Sequence, residues 1–155
     1  NSRKFLEQVK INLKLNNIKT NRYQVVKSDV FSGLYPSSSR LLRTKYDFVF
    51  ANPPYIATTR KGKVQKSVLK YEPKEALFGG RDGMRYIRKF LAEAKNFLNP
   101  STSSGQVPKI FMEFDPPQKN KIEKLLKEYK YKNWEFHKDQ YGKWRWVVVK
   151  WDFLL

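Results

Sequence analysis

The chain has no cysteine and a single histidine, His137. A disulfide framework and a thiolate metal site are excluded. A histidine-based metal site or a Ser-His pair has too little to be built from, so no metal ligand is assigned. Acidic residues are scarce, 14 against 32 Lys and Arg, for a net charge of +18. No apolar run approaches the ~20 residues that a membrane span needs, and no signal peptide is visible. A cytoplasmic setting with no membrane partner is expected. The positive excess attracts polyanions, so nucleic acid, as on a ribosome, is an expected neighbour. The same excess follows from a chain rich in Lys, Asn and Ile, so charge alone assigns no partner.

What is present is enough for one domain, 155 residues. Its organising stretch is Tyr46-Asp47-Phe48-Val49-Phe50-Ala51-Asn52-Pro53-Pro54-Tyr55. Phe48 to Ala51 is a short apolar run, the pattern of a strand buried on both faces of a parallel sheet. Proline fixes its own backbone and holds the residue before it extended. Asn52 and Pro53 are thus expected just past the carboxyl end of a strand, where open α/β sheets bind ligands. The Asn52 side-chain oxygen and the Pro53 carbonyl can each accept one hydrogen of a planar NH2 group. That fixes the nitrogen and frees its lone pair to attack an electrophile in line. Tyr55 offers an aromatic face for a flat amide or base. The chemistry is positioning, with no tuned acid or base.

The remaining chain alternates. Arg3 to about Leu15 predicts a helix with Leu6, Val9 and Leu13 on one face, ended by Asn16-Asn17. Tyr23 to Val26 predicts a short strand, followed by Asp29, which suits a turn. Ser32 to Lys45 reads as a polar connector. Arg60 to Lys74 reads as a long basic loop bordering the corner. Asp82 predicts the cap of a helix from about Gly83 to Leu98, with Met84, Ile87, Leu91, Ala94 and Leu98 in one stripe. Asn99 to Pro108 is a second connector, and Ile110 to Phe114 a second apolar strand. Gln118 to Tyr129 predicts an amphipathic helix. Trp134 to Lys138 and Trp144 to Lys150 predict a terminal hairpin around Tyr141-Gly142. Gly79-Gly80-Arg81-Asp82-Gly83 lacks the strand context and spacing of a dinucleotide loop. Asp115-Pro116-Pro117-Gln118 repeats the corner without its aromatic residue. Glu113 is either part of a pocket floor or a solvated strand-end carboxylate.

Asn-Pro-Pro-Tyr after an apolar strand resembles the catalytic motif of amino-methyltransferases that use S-adenosylmethionine. Tyr71-Glu72-Pro73 and Glu75-Ala76-Leu77-Phe78-Gly79-Gly80-Arg81-Asp82-Gly83 resemble a block of the HemK/PrmC-like release factor glutamine N(5)-methyltransferases. Met112-Glu113-Phe114, Gln118 and Asp139-Gln140-Tyr141-Gly142-Lys143-Trp144-Arg145 add further similarity in register.

This resemblance implies an α/β fold, a Rossmann-like class I methyltransferase sheet of strand order 3-2-1-4-5-7-6 with a C-terminal antiparallel hairpin. Strands 3 to 7 have counterparts here; strands 1 and 2, with the glycine-rich turn that meets the cofactor, do not. The expectation is an N-terminally incomplete domain, a C-terminal fragment without the family's N-terminal helical domain, and the chain's first residue is not Met. Without strand 1, one edge of the Phe48–Ala51 strand is expected to lie open. The resemblance further implies S-adenosyl-L-methionine as cofactor and a peptide chain release factor, near the ribosome, as partner. Asn52 and Pro53 would be catalytic; Asn52, Pro53, Pro54, Tyr55 and Glu72 would bind substrate; Asp29 and Asn52 would contact the cofactor. N6-adenine methylation of DNA or RNA and a non-catalytic, basic nucleic-acid-binding role are the alternatives.

Overall fold

A computed structural model describes residues 3–34, 45–99, 107 and 109–150. They fall into two compact units, Asn1–Arg43 and Thr44–Leu155. The connectors expected at 32–45 and 99–108 lie largely outside the described residues.

In the first unit, α1 spans Arg3–Leu15, with the predicted bounds. Asn17 ends it in the left-handed region at φ 55, and the Ile18 N–H closes back on the Leu13 carbonyl at 3.0 Å. Phe5 and Val9 remain almost half exposed, so the apolar side of this helix is only partly covered. The strand expected at Tyr23–Val26 is a correction. The segment follows a short 3-10 turn, Thr20–Arg22, and has no ladder among the described residues. A strand exists only with a hydrogen-bonded neighbour, and strands 1 and 2 have no counterpart in the sequence to provide it.

The second unit is built on a four-stranded described sheet, order β1-β2-β4-β3. Its strands are β1 Phe48–Ala51, β2 Lys109–Glu113, β3 Asn133–Lys138 and β4 Trp144–Lys150. β1 and β2 pair in parallel, with Ala51 opposite Met112. β4 runs antiparallel to both β2 and β3. This is the predicted order 4-5-7-6.

Between the strands lie α2 Lys66–Tyr71, α3 Lys74–Leu77, α4 Arg85–Glu93 and α5 Lys119–Glu128. The core lies where α4 and α5 meet the sheet. Ile110 and Met112 of β2 and Val147 and Val149 of β4 alternate inward and are fully buried. Met84, Ile87, Leu91, Ala94 and Leu98 are buried as the stripe required, as are Ile122, Leu125 and Leu126 of α5. Each of the Val, Leu, Ile and Met side chains among these contributes about 1.5–3 kcal/mol. The predicted Gly83–Leu98 helix is two pieces, α4 and a 3-10 turn over Ala94–Phe97. The buried Tyr131 hydroxyl donates to the Leu91 carbonyl at 2.8 Å.

Two expectations change here. Among the described residues β1 lies at the edge of the sheet, and Phe50 is 75% exposed. An apolar run shows that a strand's faces want cover without showing that the cover is present. Phe50 instead stacks on Phe111, ring centroids 4.8 Å apart. The open edge of this strand, by contrast, was expected. The loop predicted over Arg60–Lys74 is helical: a 3-10 turn at Thr58–Lys63, then α2 and the start of α3. Lys, Leu and Ala are good helix formers, and Leu77 is buried, which anchors the segment. Among the described residues no helix is long and apolar enough to cross a membrane.

Candidate active site

β1 ends at Ala51, so Asn52 is the first residue past the ladder. Asn52 is exposed. Among the described residues, its side-chain amide makes no hydrogen bond and the Pro53 carbonyl accepts none. Both acceptors are therefore open to a ligand. Asn52 lines a cleft of about 580 Å³ with Phe50, Phe111, Glu113, Arg145 and Trp146. The cleft sits at the carboxyl ends of β1 and β2, where parallel strands present their ligand sites.

Tyr55 is tied to the neighbouring strand. Its hydroxyl donates to Glu113 Oε1 at 3.0 Å. Burial, then the Glu113 charge and hydrogen bond, push the phenol up to about 12. The ring is thus a neutral donor, held in place. Arg145, on the wall of the same cleft, is held by Asp139 through Nε at 3.2 Å and Nη2 at 3.1 Å. Asp139 also accepts from the Tyr141 and Lys143 amides at 2.9 and 3.0 Å. The Lys143 amide, with Arg145 and Tyr141, holds its carboxyl below the usual range. The Asp139–Arg145 block is therefore a turn that presents one guanidinium.

The glycine-rich block backs the corner. The Ile56 N–H donates to the Leu77 carbonyl, and the Gly79 N–H returns to the Ile56 carbonyl at 3.0 Å. A Cβ on Gly79 would lie 2.2 Å from the Pro54 carbonyl oxygen. One on Gly83, at φ +74, would lie 2.1 Å from the Tyr55 carbonyl oxygen. Only glycine lets these two stretches of backbone approach this closely. Asp82 is not the cap that was expected: the cap position of α4 is Met84, without a side-chain cap bond, and Asp82 instead accepts from the Met84 amide at 3.1 Å in the turn ahead of the helix. Its ion pair with Arg88, aided by that amide, brings its carboxyl down to about 2.

Gln118 completes the support. It is 4% exposed. Its Nε2 donates to the Tyr55 carbonyl at 2.8 Å, and its Oε1 accepts from the Asp115 amide at 3.0 Å. The second Pro-Pro site is thus a helix start, with Asp115 paired to Arg60. Asn52, Pro53, Pro54 and Tyr55 lie together at the corner, and Glu113 joins them. Glu72 is exposed at the end of α2 and does not line the cleft. Asp29 belongs to the first unit, in a turn where the Ser32 hydroxyl donates to its carbonyl at 2.9 Å. Sequence reading gave Arg145 no role; its signal was the acid six residues upstream.

No family model matches the chain. Among curated proteins it is 31% identical over 147 residues to a release factor glutamine methyltransferase of Streptococcus pneumoniae, covering 93% of this chain and 48% of that protein. It is 34% identical over 106 residues to the release factor glutamine methyltransferase of Lactococcus lactis, 68% of this chain and 37% of that one. The chain is a homologue of the release factor glutamine methyltransferases. A bifunctional methyltransferase of Rickettsia prowazekii is 35% identical over 121 residues, 76% of this chain and 21% of that protein. The chain spans from about a fifth to about half the length of these relatives. A solved ribosomal protein L11 methylase of Lactobacillus delbrueckii superposes with TM-score 0.53 at 15% identity, covering 96% of this chain and 52% of that one. The fold is that of a class I methyltransferase.

Proposed function

We propose that this chain carries the acceptor side of an S-adenosylmethionine-dependent N-methyltransferase, and that the acceptor is a glutamine side-chain amide in a peptide chain release factor. The observation that carries the reading is the pair of open acceptors, the Asn52 amide and the Pro53 carbonyl, beside a Tyr55 ring fixed by Glu113. An amide NH2 between them donates one hydrogen to each oxygen. Tyr55 bounds one face of the planar group, and the nitrogen lone pair is left pointing away from the strand end. One of the two hydrogens is lost as a proton once the nitrogen has been alkylated. Holding the nitrogen in line can be worth as much as about 7–11 kcal/mol.

The donor supplies a methyl group on a positively charged sulfur. The described residues do not form a complete cradle for it. The one described glycine-rich block, Gly79–Gly83, is filled by the Pro54 and Tyr55 carbonyls. Asn52 and Asp29 are the residues that the family resemblance assigns to the donor, with Pro54 and Glu72 as further contacts to the acceptor. The isolated chain is expected to bind the donor more weakly than micromolar, and calorimetric titration measures this.

The test supplies excess labelled donor to the chain, with a purified release factor in one arm and unmethylated DNA in the other. Label in a glutamine amide that is lost in Asn52→Ala supports the reading. Label in adenine overturns it in favour of N6-adenine methylation. In parallel, NMR titration with a glutamine-containing release factor peptide should shift the corner resonances. The same peptide with glutamate in place of glutamine should not, because a carboxylate has no hydrogens to offer these two oxygens.

A further inference from the structure

The segment that follows the corner carries an uncovered basic face with an aromatic residue in it. Lys61, Lys63, Lys66, Lys70 and Lys74 are all exposed, and among the described residues none forms an ion pair. Arg60, the sixth cation, is taken by Asp115. Lys66 and Lys70 lie one turn apart on the same side of α2, a rise of about 6 Å. Tyr71 follows them and is 75% exposed. The Lys70 ammonium stands 5.2 Å from the centre of its ring. Two carboxylates, Glu72 and Glu75, lie at the far end of the segment. An exposed phenol beside a row of ammonium groups without ion pairs among the described residues, one of them over the phenol ring, matches what single-stranded nucleic acid requires: a base on the ring and phosphates on the cations. An acidic peptide would satisfy the lysines but offers no flat group for Tyr71.

We propose that α2 and its flanks, Lys61 to Lys74 with Tyr71 as stacking platform, bind single-stranded RNA. The choice of RNA over DNA rests on the proposed function, since a release factor acts on the ribosome. The lysines supply salt-sensitive affinity, and Tyr71 supplies a stack indifferent to base identity. The surface lies directly after the Asn52–Tyr55 corner in the chain, so it adds an RNA contact to a site whose acceptor is a protein.

The experiment titrates the 155-residue chain into a fluorescein-labelled uridine oligomer at several salt concentrations. Five phosphate contacts at a slope of about −0.7 each give an overall slope of roughly −3.5, so a fourfold rise in salt weakens binding about a hundredfold. The double change Lys66→Ala, Lys70→Ala should flatten the slope by about 1.4. Tyr71→Ala should weaken binding about fivefold or more, while Tyr71→Phe keeps it within about twofold. A charge-matched control, Lys4→Ala with Lys10→Ala in α1, should change little. If the control loses as much as the α2 double variant, binding is a property of net charge and the proposal fails. It also fails if a deoxyuridine oligomer binds as tightly, or if a polyglutamate peptide binds and the RNA does not. No methyl transfer enters this readout, so the outcome is separate from that of the acceptor assay.

Discussion

The Tyr55 hydroxyl and Glu113 Oε1 meet at 3.0 Å, joining the turn after β1 to the end of its parallel neighbour β2. The bond fixes a ring that proline alone would leave free to turn. It also makes the phenol a reporter. Burial comes first among the causes that raise it to about 12, and the Glu113 charge and hydrogen bond follow. Glu113→Gln should therefore lower the Tyr55 phenol toward 10 without bringing it fully there. A tyrosine ring-carbon NMR titration, assigned with Tyr55→Phe, measures this. An unchanged phenol would show that the carboxylate plays no part.

The same group gives a pH dependence of stability. Its folded value is raised, so the folded chain holds a proton that the unfolded chain has lost. Stability from this group is complete below pH 10 and falls as pH rises toward about 12. Denaturation midpoints over that window should fall less steeply in Tyr55→Phe.

Asp82 works in the opposite direction. Its carboxyl is lowered to about 2 by Arg88 and the Met84 amide. The stabilisation is present above the ordinary carboxylate value and is lost as pH falls from about 4 toward 2. Asp82→Asn should flatten the acid limb of a thermal melt series. The group is partly exposed, so the effect is small and salt-sensitive.

Gly83→Ala should destabilise by more than about 1–3 kcal/mol, because the new methyl meets both a left-handed backbone and the Tyr55 carbonyl. Gly62→Ala has open space around it and should be neutral or slightly stabilising, within about 1 kcal/mol. Urea midpoints of the two variants test the contrast. Equal midpoints would mean that the close approach at Gly83 is not maintained in solution.

Gln118→Met keeps the volume and removes both hydrogen bonds. It leaves the Tyr55 carbonyl and the Asp115 amide without partners, at about 1–3 kcal/mol each. The corner should loosen as the stability falls. Hydrogen exchange of the Asp115 amide is the direct measure.

Much of this was legible in the residues. The stripe Met84-Ile87-Leu91-Ala94-Leu98 predicted its burial because helical spacing alone places those side chains together. The hairpin was marked by β-branched and aromatic runs around Gly142. The order of the four strands came from the resemblance, which carries topology that spacing does not. The Tyr23–Val26 strand and the buried β1 failed for one shared reason. Both inferences assumed neighbours, and a pattern in one segment cannot show that its partner is present. The corner itself was visible in Asn52-Pro53-Pro54-Tyr55. Of its supports, Glu113 was legible as one of two readings, pocket floor or solvated carboxylate, and Gln118 as a match in register, while Arg145 had no role; the contacts themselves span tens of residues, and no local period records them.

The space missing at Gly79 and Gly83 is the space that the Pro54 and Tyr55 carbonyls occupy. The two stretches are therefore a lock and its bolt. Moved alone into another sheet, the Asn-Pro-Pro-Tyr turn would arrive without the surface that shapes it. Moved together with Gly79–Gly83 and Gln118, it would bring its own frame, and the smallest transferable unit of this site is that interlocked set.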